Sequence, residues 1–174
     1  MNLPIKAQRL FIAAFDESMA ESVHKNSLDD DNRRFVPDEV FETVDAAREA
    51  ISVLISFYSQ SDSPLVYPIF LNDGRQVGHV QAAPIKDGWE IGYHIGKAYT
   101  GRGYATEAVG AFLAPVMKRL GITRICGVCR ADNMASRSVL EKCGFVLDFC
   151  GEGDYHGERR DICRYSHTVV QTIS

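Results

Sequence analysis

At 174 residues, 45% of them hydrophobic, the chain suits one domain spanning 1–174 with a core of ordinary size. A formal net charge of −4 and a pI near 5.7 argue against direct nucleic-acid binding, which wants a basic stripe, and favour an amine or a basic peptide as partner. No apolar run reaches the roughly 18 residues of a membrane span, the polar start lacks the apolar core of a secretory signal, and five cysteines cannot close a complete disulfide framework, so the expected setting is a reducing cytoplasm.

In chain order, a first strand is expected at about 8–15, then a helix over 16–25 and an acidic-to-basic loop over 28–34, in which Asp29, Asp30 and Asp31 read as solvated. Val44, Ala47, Ile51, Leu54, Ile55 and Tyr58 recur at helical spacing and predict a second helix, ended by turn residues at 59–64. Strands at 65–71 and 75–82 flank Asn72-Asp73-Gly74 as a hairpin, and Pro68 marks a bulge or an edge position. Over 88–95, Trp89, Ile91, Tyr93 and Ile95 alternate with Glu90, Gly92 and His94, which is a strand pattern. A glycine-rich loop at 96–105 then leads into a long helix carrying Ala105, Ala108, Val109, Phe112, Leu113, Val116, Met117 and Leu120 on one stripe. Gly121 ends that helix, and Pro115 is expected to kink it. The apolar run 122–129 reads as a buried strand in which Cys126 and Cys129 point to opposite faces, as structural thiols and not as a metal or disulfide pair. Asn133 caps a short helix that Gly144 ends, and strands near 145–150 and 159–168 complete an α+β order.

The glycine loop is the most informative stretch. The first-turn N–H groups of the helix that follows, with the positive end of its dipole, make an anion cradle across Gly101 to Thr106, and Gly101 and Gly103 let the anion come close. A triphosphate P-loop is excluded by letter, because Arg102 and Gly103 follow the second glycine where lysine and a hydroxyl residue are required. A dinucleotide fingerprint fails at Thr106, which replaces its third glycine, and the N-terminal half shows no repeating strand and helix pattern. The pattern Gln/Arg-x-x-Gly-x-Gly/Ala does fit at Gly103 and Ala105, with Thr100 in its first position. Downstream, Asn133 and Ser136 precede Val139-Leu-Glu-Lys-Cys-Gly-Phe145. With these two elements in this order, the chain resembles the GNAT superfamily of acetyl-CoA-dependent N-acetyltransferases. Gly-Tyr-Ala-Thr-Glu-Ala at 103–108, together with the Asn133 element, resembles the branch that acetylates the N-terminal alanine or serine of ribosomal proteins. Residues 8–12 and 157–165 carry the resemblance weakly to both ends.

The resemblance implies a GNAT-like single domain, with a central, mostly antiparallel mixed sheet of about six to seven strands flanked by about four helices. It implies acetyl-CoA as co-substrate, no metal, no membrane and a primary amine as acceptor. A protein N-terminal α-amine is the first reading of that acceptor and a small-molecule amine, such as a polyamine, amino acid or antibiotic, the second. A non-catalytic acyl-CoA binding or sensing module is a reading of another class, and monomer and homodimer both fit. Acetyl transfer needs a neutral amine, and Glu90, just before the loop, is the candidate base, with His94 as competitor and a solvated strand carboxylate as the alternative. Backbone groups of Tyr93, His94 and Ile95 are expected to meet the donor and its oxyanion, and those of Gly101, Arg102, Gly103, Tyr104, Ala105 and Thr106 its pyrophosphate. The Asn133 amide would hold the pantetheine arm, with Arg137 or Lys142 near the nucleotide phosphate. Many members of the superfamily place a tyrosine where this chain has Leu140, so the hydroxyl near the leaving thiolate is assigned to Ser136. Phe35, Tyr67 and Trp89 are the candidate acceptor walls.

Overall fold

Alternating apolar residues build one sheet of eight strands in the computed structural model, which describes residues 1–169. The strands are β1 (Ile5–Lys6), β2 (Leu10–Ile12), β3 (Leu65–Leu71), β4 (Gln76–Ile85), β5 (Gly88–Ile95), β6 (Arg124–Arg130), β7 (Val146–Tyr155) and β8 (Glu158–Thr168). The helices are α1 (Ala20–Ser27), α2 (Asp30–Phe35), α3 (Val44–Phe57), α4 (Tyr104–Leu120) and α5 (Met134–Lys142). The sheet order is β1-β2-β3-β4-β5-β6-β8-β7, antiparallel throughout except between β5 and β6. The eighth strand beyond the expected six to seven is β1, which at two residues is too short to show a period.

Both sheet faces are covered. On one face Val109, Phe112, Val116 and Met117 of α4 and Leu140 of α5 meet Leu10, Tyr67, Ile69, Val80 and Ile91 of the sheet. On the other, Phe15, Ala20 of α1 and Ala47 and Ile51 of α3 pack around Val66. Thr43 caps α3 by accepting the Ala46 N–H at 3.1 Å, and Gly121, in the left-handed region, ends α4. α4 is assigned as one unbroken helix through Pro115. Pro68 belongs to an interior strand, opposite His79 and one residue before a register shift. Its carbonyl accepts from Ala13 just past the end of β2, so the donor it lacks faces a stretch without ladder pairing.

The expected loop at 28–34 is instead the start of a helix. Asp29 accepts the Asn32 N–H at 2.8 Å as its cap, acids fill the first turn of α2 and arginines the last. With five of its six residues polar, the helix offers no stripe to detect. The cysteines also differ from a set of free thiols, because Cys150 and Cys163, directly opposite on β7 and β8, are joined in a disulfide with Cα atoms 4.2 Å apart. Cys126, Cys129 and Cys143 are free. Among the described residues no helix is long and apolar enough to cross a membrane.

One contact between β5 and β6 positions everything that follows. Among the described residues, Glu90 opposite Cys126 is their single registered pair, while β5 stays paired with β4 and β6 with β8 along their lengths. Beyond that pair the strands part. α5 is held over the opening by Leu140, whose Cδ2 would lie 2.7 Å from a Cβ added at Gly127. Gly127→Ala should therefore overpack this contact and cost about 1–3 kcal/mol of stability, read as a lowered urea midpoint; an unchanged midpoint would mean that Leu140 is not seated on the sheet.

Candidate active site

The anion cradle has the expected backbone form. After a 3-10 turn at Lys97–Tyr99, Gly101 and Gly103 take φ of 73° and 80°, and α4 starts at Tyr104 with a glycine as its cap. No side chain therefore competes for the first-turn N–H groups, and a Cβ at Gly101 would meet nothing within 4 Å among the described residues. An acid in that first turn, Glu107, would repel an anion. Arg9 neutralises it, donating from its backbone N at 2.6 Å and its Nε at 2.7 Å, and its Nη1 also donates to the Arg102 carbonyl at 2.8 Å. Nothing local in the sequence marks Arg9, since its partner lies 98 residues away.

The parted strands open into a cleft of about 490 Å³. From β5 it is lined by Glu90, Tyr93, His94 and Ile95, and from the loop and α4 by Gly101, Gly103, Tyr104, Ala105 and Thr106. Asn133, Ser136 and Lys142 contribute from α5, Phe35 and Glu39 from the α2 side, and Tyr155 and His156 from the hairpin tip. Four predicted site residues fall outside this lining. Tyr67 is fully buried, stacked on Tyr58 with centroids 4.8 Å apart and accepting from Arg119 at 3.0 Å, so it is core. Trp89 lies at the far end of β5 opposite Pro84, packed on the main core. Arg137 donates from Nε to the Tyr165 hydroxyl at 3.1 Å, which in turn donates to Glu141, and from Nη1 to the Ala131 carbonyl at 3.4 Å, so these two ends of its guanidinium face the fold. Arg102 is exposed, and its carbonyl is taken by Arg9.

Burial raises the Glu90 carboxyl above the ordinary carboxylate range, against the opposing pull of the Val128 amide and the His156 ring. Across the gap, the Tyr93 hydroxyl meets Ser136, 2.8 Å from its Oγ and 3.0 Å from its carbonyl. Asn133 caps α5 through Oδ1, which accepts the Ser136 N–H at 3.0 Å and leaves the Nδ2 end of the amide for a ligand.

His94 and His79 face each other on β5 and β4, with ring centroids 5.8 Å apart. Each meets a carboxylate: His79 with Glu39 at 3.0 Å and His94 with Asp29 at 3.4 Å. The second pair is within ion-pair range yet poorly aligned, leaving His94 Nε2 without a hydrogen bond among the described residues. Asp29 is thus no solvated loop residue. Burial alone would raise its carboxyl, but His94 and the N–H groups of Asn32 and Lys97 outweigh that and hold it at about 2. Burial likewise opposes ionisation of Glu39, and His79, His94 and the Gln81 amide prevail to keep it low. A roof covers the cleft on its α2 side. Tyr155 donates to the Phe35 carbonyl at 2.9 Å, His156 pairs with Asp38 at 2.9 Å and Arg34 with Asp132 at 2.7 Å. Among the described residues no group of three or more His, Cys, Asp or Glu is placed to hold a metal ion.

This layout, a splayed parallel pair with an uncapped helix N-terminus aimed at the gap, agrees with the family comparison, which matches residues 9–146 to the acetyltransferase (GNAT) domain. The chain belongs to the GNAT family. As a GNAT acetyltransferase it is an N-acetyltransferase by class, as is its relative YnaD of Bacillus subtilis, described as an uncharacterized N-acetyltransferase. YnaD is 27% identical over 143 residues, covering 80% of this chain and 81% of YnaD. A GNAT-family acetyltransferase structure from Bacillus anthracis aligns with a TM-score of 0.80 at 27% identity, covering 95% of this chain and 98% of that one. The RimL ribosomal L7/L12 α-N-protein acetyltransferase, solved with coenzyme A, aligns with a TM-score of 0.82 at 23% identity over 95% and 98% of the two chains, a likeness of fold.

The Asp29 geometry has a pH signature. Its folded value of about 2 lies below the ordinary 3.8, so the stability it contributes is complete above the ordinary value and drains away as pH falls toward 2. Urea midpoints of wild type and Asp29→Asn should therefore differ at neutral pH and converge between about pH 4 and 2; a gap independent of pH would contradict the ionised contact.

Proposed function

We propose that the protein transfers the acetyl group of acetyl-CoA to a primary amine by direct attack in a ternary complex, with a protein N-terminal α-amine as acceptor. The observation that carries this reading is the parting of β5 from β6 at Glu90. It brings a desolvated carboxylate, an uncapped helix N-terminus and an open strand edge to one cleft. The first-turn amides of α4 would hold the donor's pyrophosphate and the Asn133 Nδ2 its pantetheine arm, with Lys142 at the rim. Bound there, acetyl-CoA supplies the activated acetyl group. A backbone N–H within Tyr93 to Ile95 that faces the freed edge of β5 would stabilise the oxyanion, and Ser136 would face the departing sulfur.

Glu90 would take the amine's proton. Its raised affinity for protons suits it to that task better than an exposed carboxylate. An α-amine near 7.8 presents far more neutral nucleophile at neutral pH than a lysine near 10.4. The likeness to RimL in fold supports the same choice of acceptor. The roof over Phe35 favours a second reading, a small-molecule amine, since a peptide must pass beneath Tyr155 and His156 whereas a small amine fits under them.

An acetyl-CoA consumption screen across N-terminal peptides and small amines tests both. At least one amine should accelerate CoA release, and Glu90→Gln should lower kcat by roughly 10²–10⁴ while removing the acidic limb of the pH profile. That limb belongs above the ordinary carboxylate range, because burial raises Glu90. A panel with no active amine would overturn the reading, and full activity of Glu90→Gln would overturn the base assignment.

A further inference from the structure

Position 140 offers no hydroxyl to the gap: Leu140 is 1% exposed and packs on Gly127 and the sheet. A phenol reaches the same region from the opposite side of the gap. We propose that Tyr93 of β5 is a positioning residue that aims the Ser136 hydroxyl at the departing CoA thiolate, an inference that rests on the acetyl-transfer reading above.

The geometry is a two-hydroxyl rotor. Tyr93 Oη lies 2.8 Å from Ser136 Oγ and 3.0 Å from the Ser136 carbonyl, so the pair has two hydrogen-bonded arrangements. In one, Tyr93 donates to the carbonyl and Ser136 donates to Tyr93, which leaves a serine lone pair toward the cleft. In the other, Tyr93 donates to Ser136 Oγ and the serine proton is free to point into the cleft that Ser136 lines. Passing between them needs only rotation about two C–O bonds. Negative charge growing on sulfur favours the second arrangement, which presents a donor, over the first, which presents a lone pair.

The surroundings leave this role to Tyr93. Asn133 fixes the serine backbone but not its hydroxyl, because Oδ1 is spent on the Ser136 N–H. The Cys129 thiol of β6 also faces Ser136, so without the phenol the hydroxyl would turn toward that weak acceptor. Tyr93 orients and does not itself supply the proton: burial raises its pKa, while a CoA thiol near 8.5 needs little protonation. Cys129, Cys143 and Tyr155, the other titratable groups facing the phenol, are all raised by burial, so no charge at neutral pH competes with the rotor.

Tyr93→Phe keeps the ring and deletes only the hydroxyl. Titration calorimetry at about pH 9.5, where bound CoA is largely thiolate, compares CoA with desulfo-CoA on wild type, Tyr93→Phe and Ser136→Ala. Each variant should bind CoA about tenfold more weakly, with desulfo-CoA changed by less than about twofold, because a hydrogen bond to a charged sulfur is what is lost. In turnover with any accepted amine, each single variant should lose about tenfold in kcat at unchanged KM for acetyl-CoA, and the double variant no more than the worse single. Equal weakening of both nucleotides would make Tyr93 merely structural and overturn the proposal, as would unaltered CoA binding or penalties that multiply. A wild-type chain that binds neither nucleotide would overturn the acetyl-transfer reading itself, and this inference with it.

Discussion

The structure turns on one failed pairing. Two neighbouring parallel strands meet at Glu90 and Cys126 and then separate, so the backbone edges they would have satisfied in each other stand free in the middle of a sheet. Unpaired strand edges inside a fold are costly unless something polar serves them. Here each side is anchored by its outer neighbour along its whole length, and helix α5 is pinned over the gap by Leu140. The opening is thereby a rigid feature of the scaffold and not a frayed one, and every chemical group discussed above is placed by reference to it.

The α2 side of the cleft is fastened differently. It hangs on two half-buried histidine-carboxylate contacts whose members come from the centre of the sheet and from the short polar segment between α1 and α3. Asp29 has three duties at once: it caps α2, accepts from the Lys97 N–H in the glycine-rich loop and faces His94. Through that one carboxylate, the α2 segment and the glycine-rich loop share a fastening.

What the sequence revealed, and what it concealed, follow from the range of the interactions involved. The Glu90 strand, the stripe of α4, the glycine reversals at 101 and 103 and the Asn133 cap are local patterns of two to seven residues, and the structure has each of them where the pattern placed it. The β5–β6 separation is a relation between distant strands and leaves no mark in either. α2 has no apolar periodicity to detect because five of its six residues are polar, although its charge gradient and aspartate cap are legible in the sequence. Tyr67 and Trp89 were misplaced because a large aromatic on an alternating strand looks the same facing a core or a ligand, and only the packing of α4 against the sheet tells them apart. Arg137 carries the charge a phosphate would seek, but its Nε is held by Tyr165, a contact 28 residues away that no local pattern shows.

Arg9 has a consequence for how the molecule comes together. The cradle that would receive the donor is made by residues past 100, yet its local charge is balanced by the Arg9 side chain from the bend between β1 and β2, 98 residues earlier. Closing so long a loop is an entropic expense, so this contact belongs to the late, non-local part of assembly. Until β2 docks, the helix that should attract an anion carries an uncompensated carboxylate. Occupancy of the cradle and docking of β2 are therefore linked equilibria: a ligand that prefers the completed cradle tightens the opposite end of the chain, and a fusion or truncation that loosens the first dozen residues is felt at the cradle.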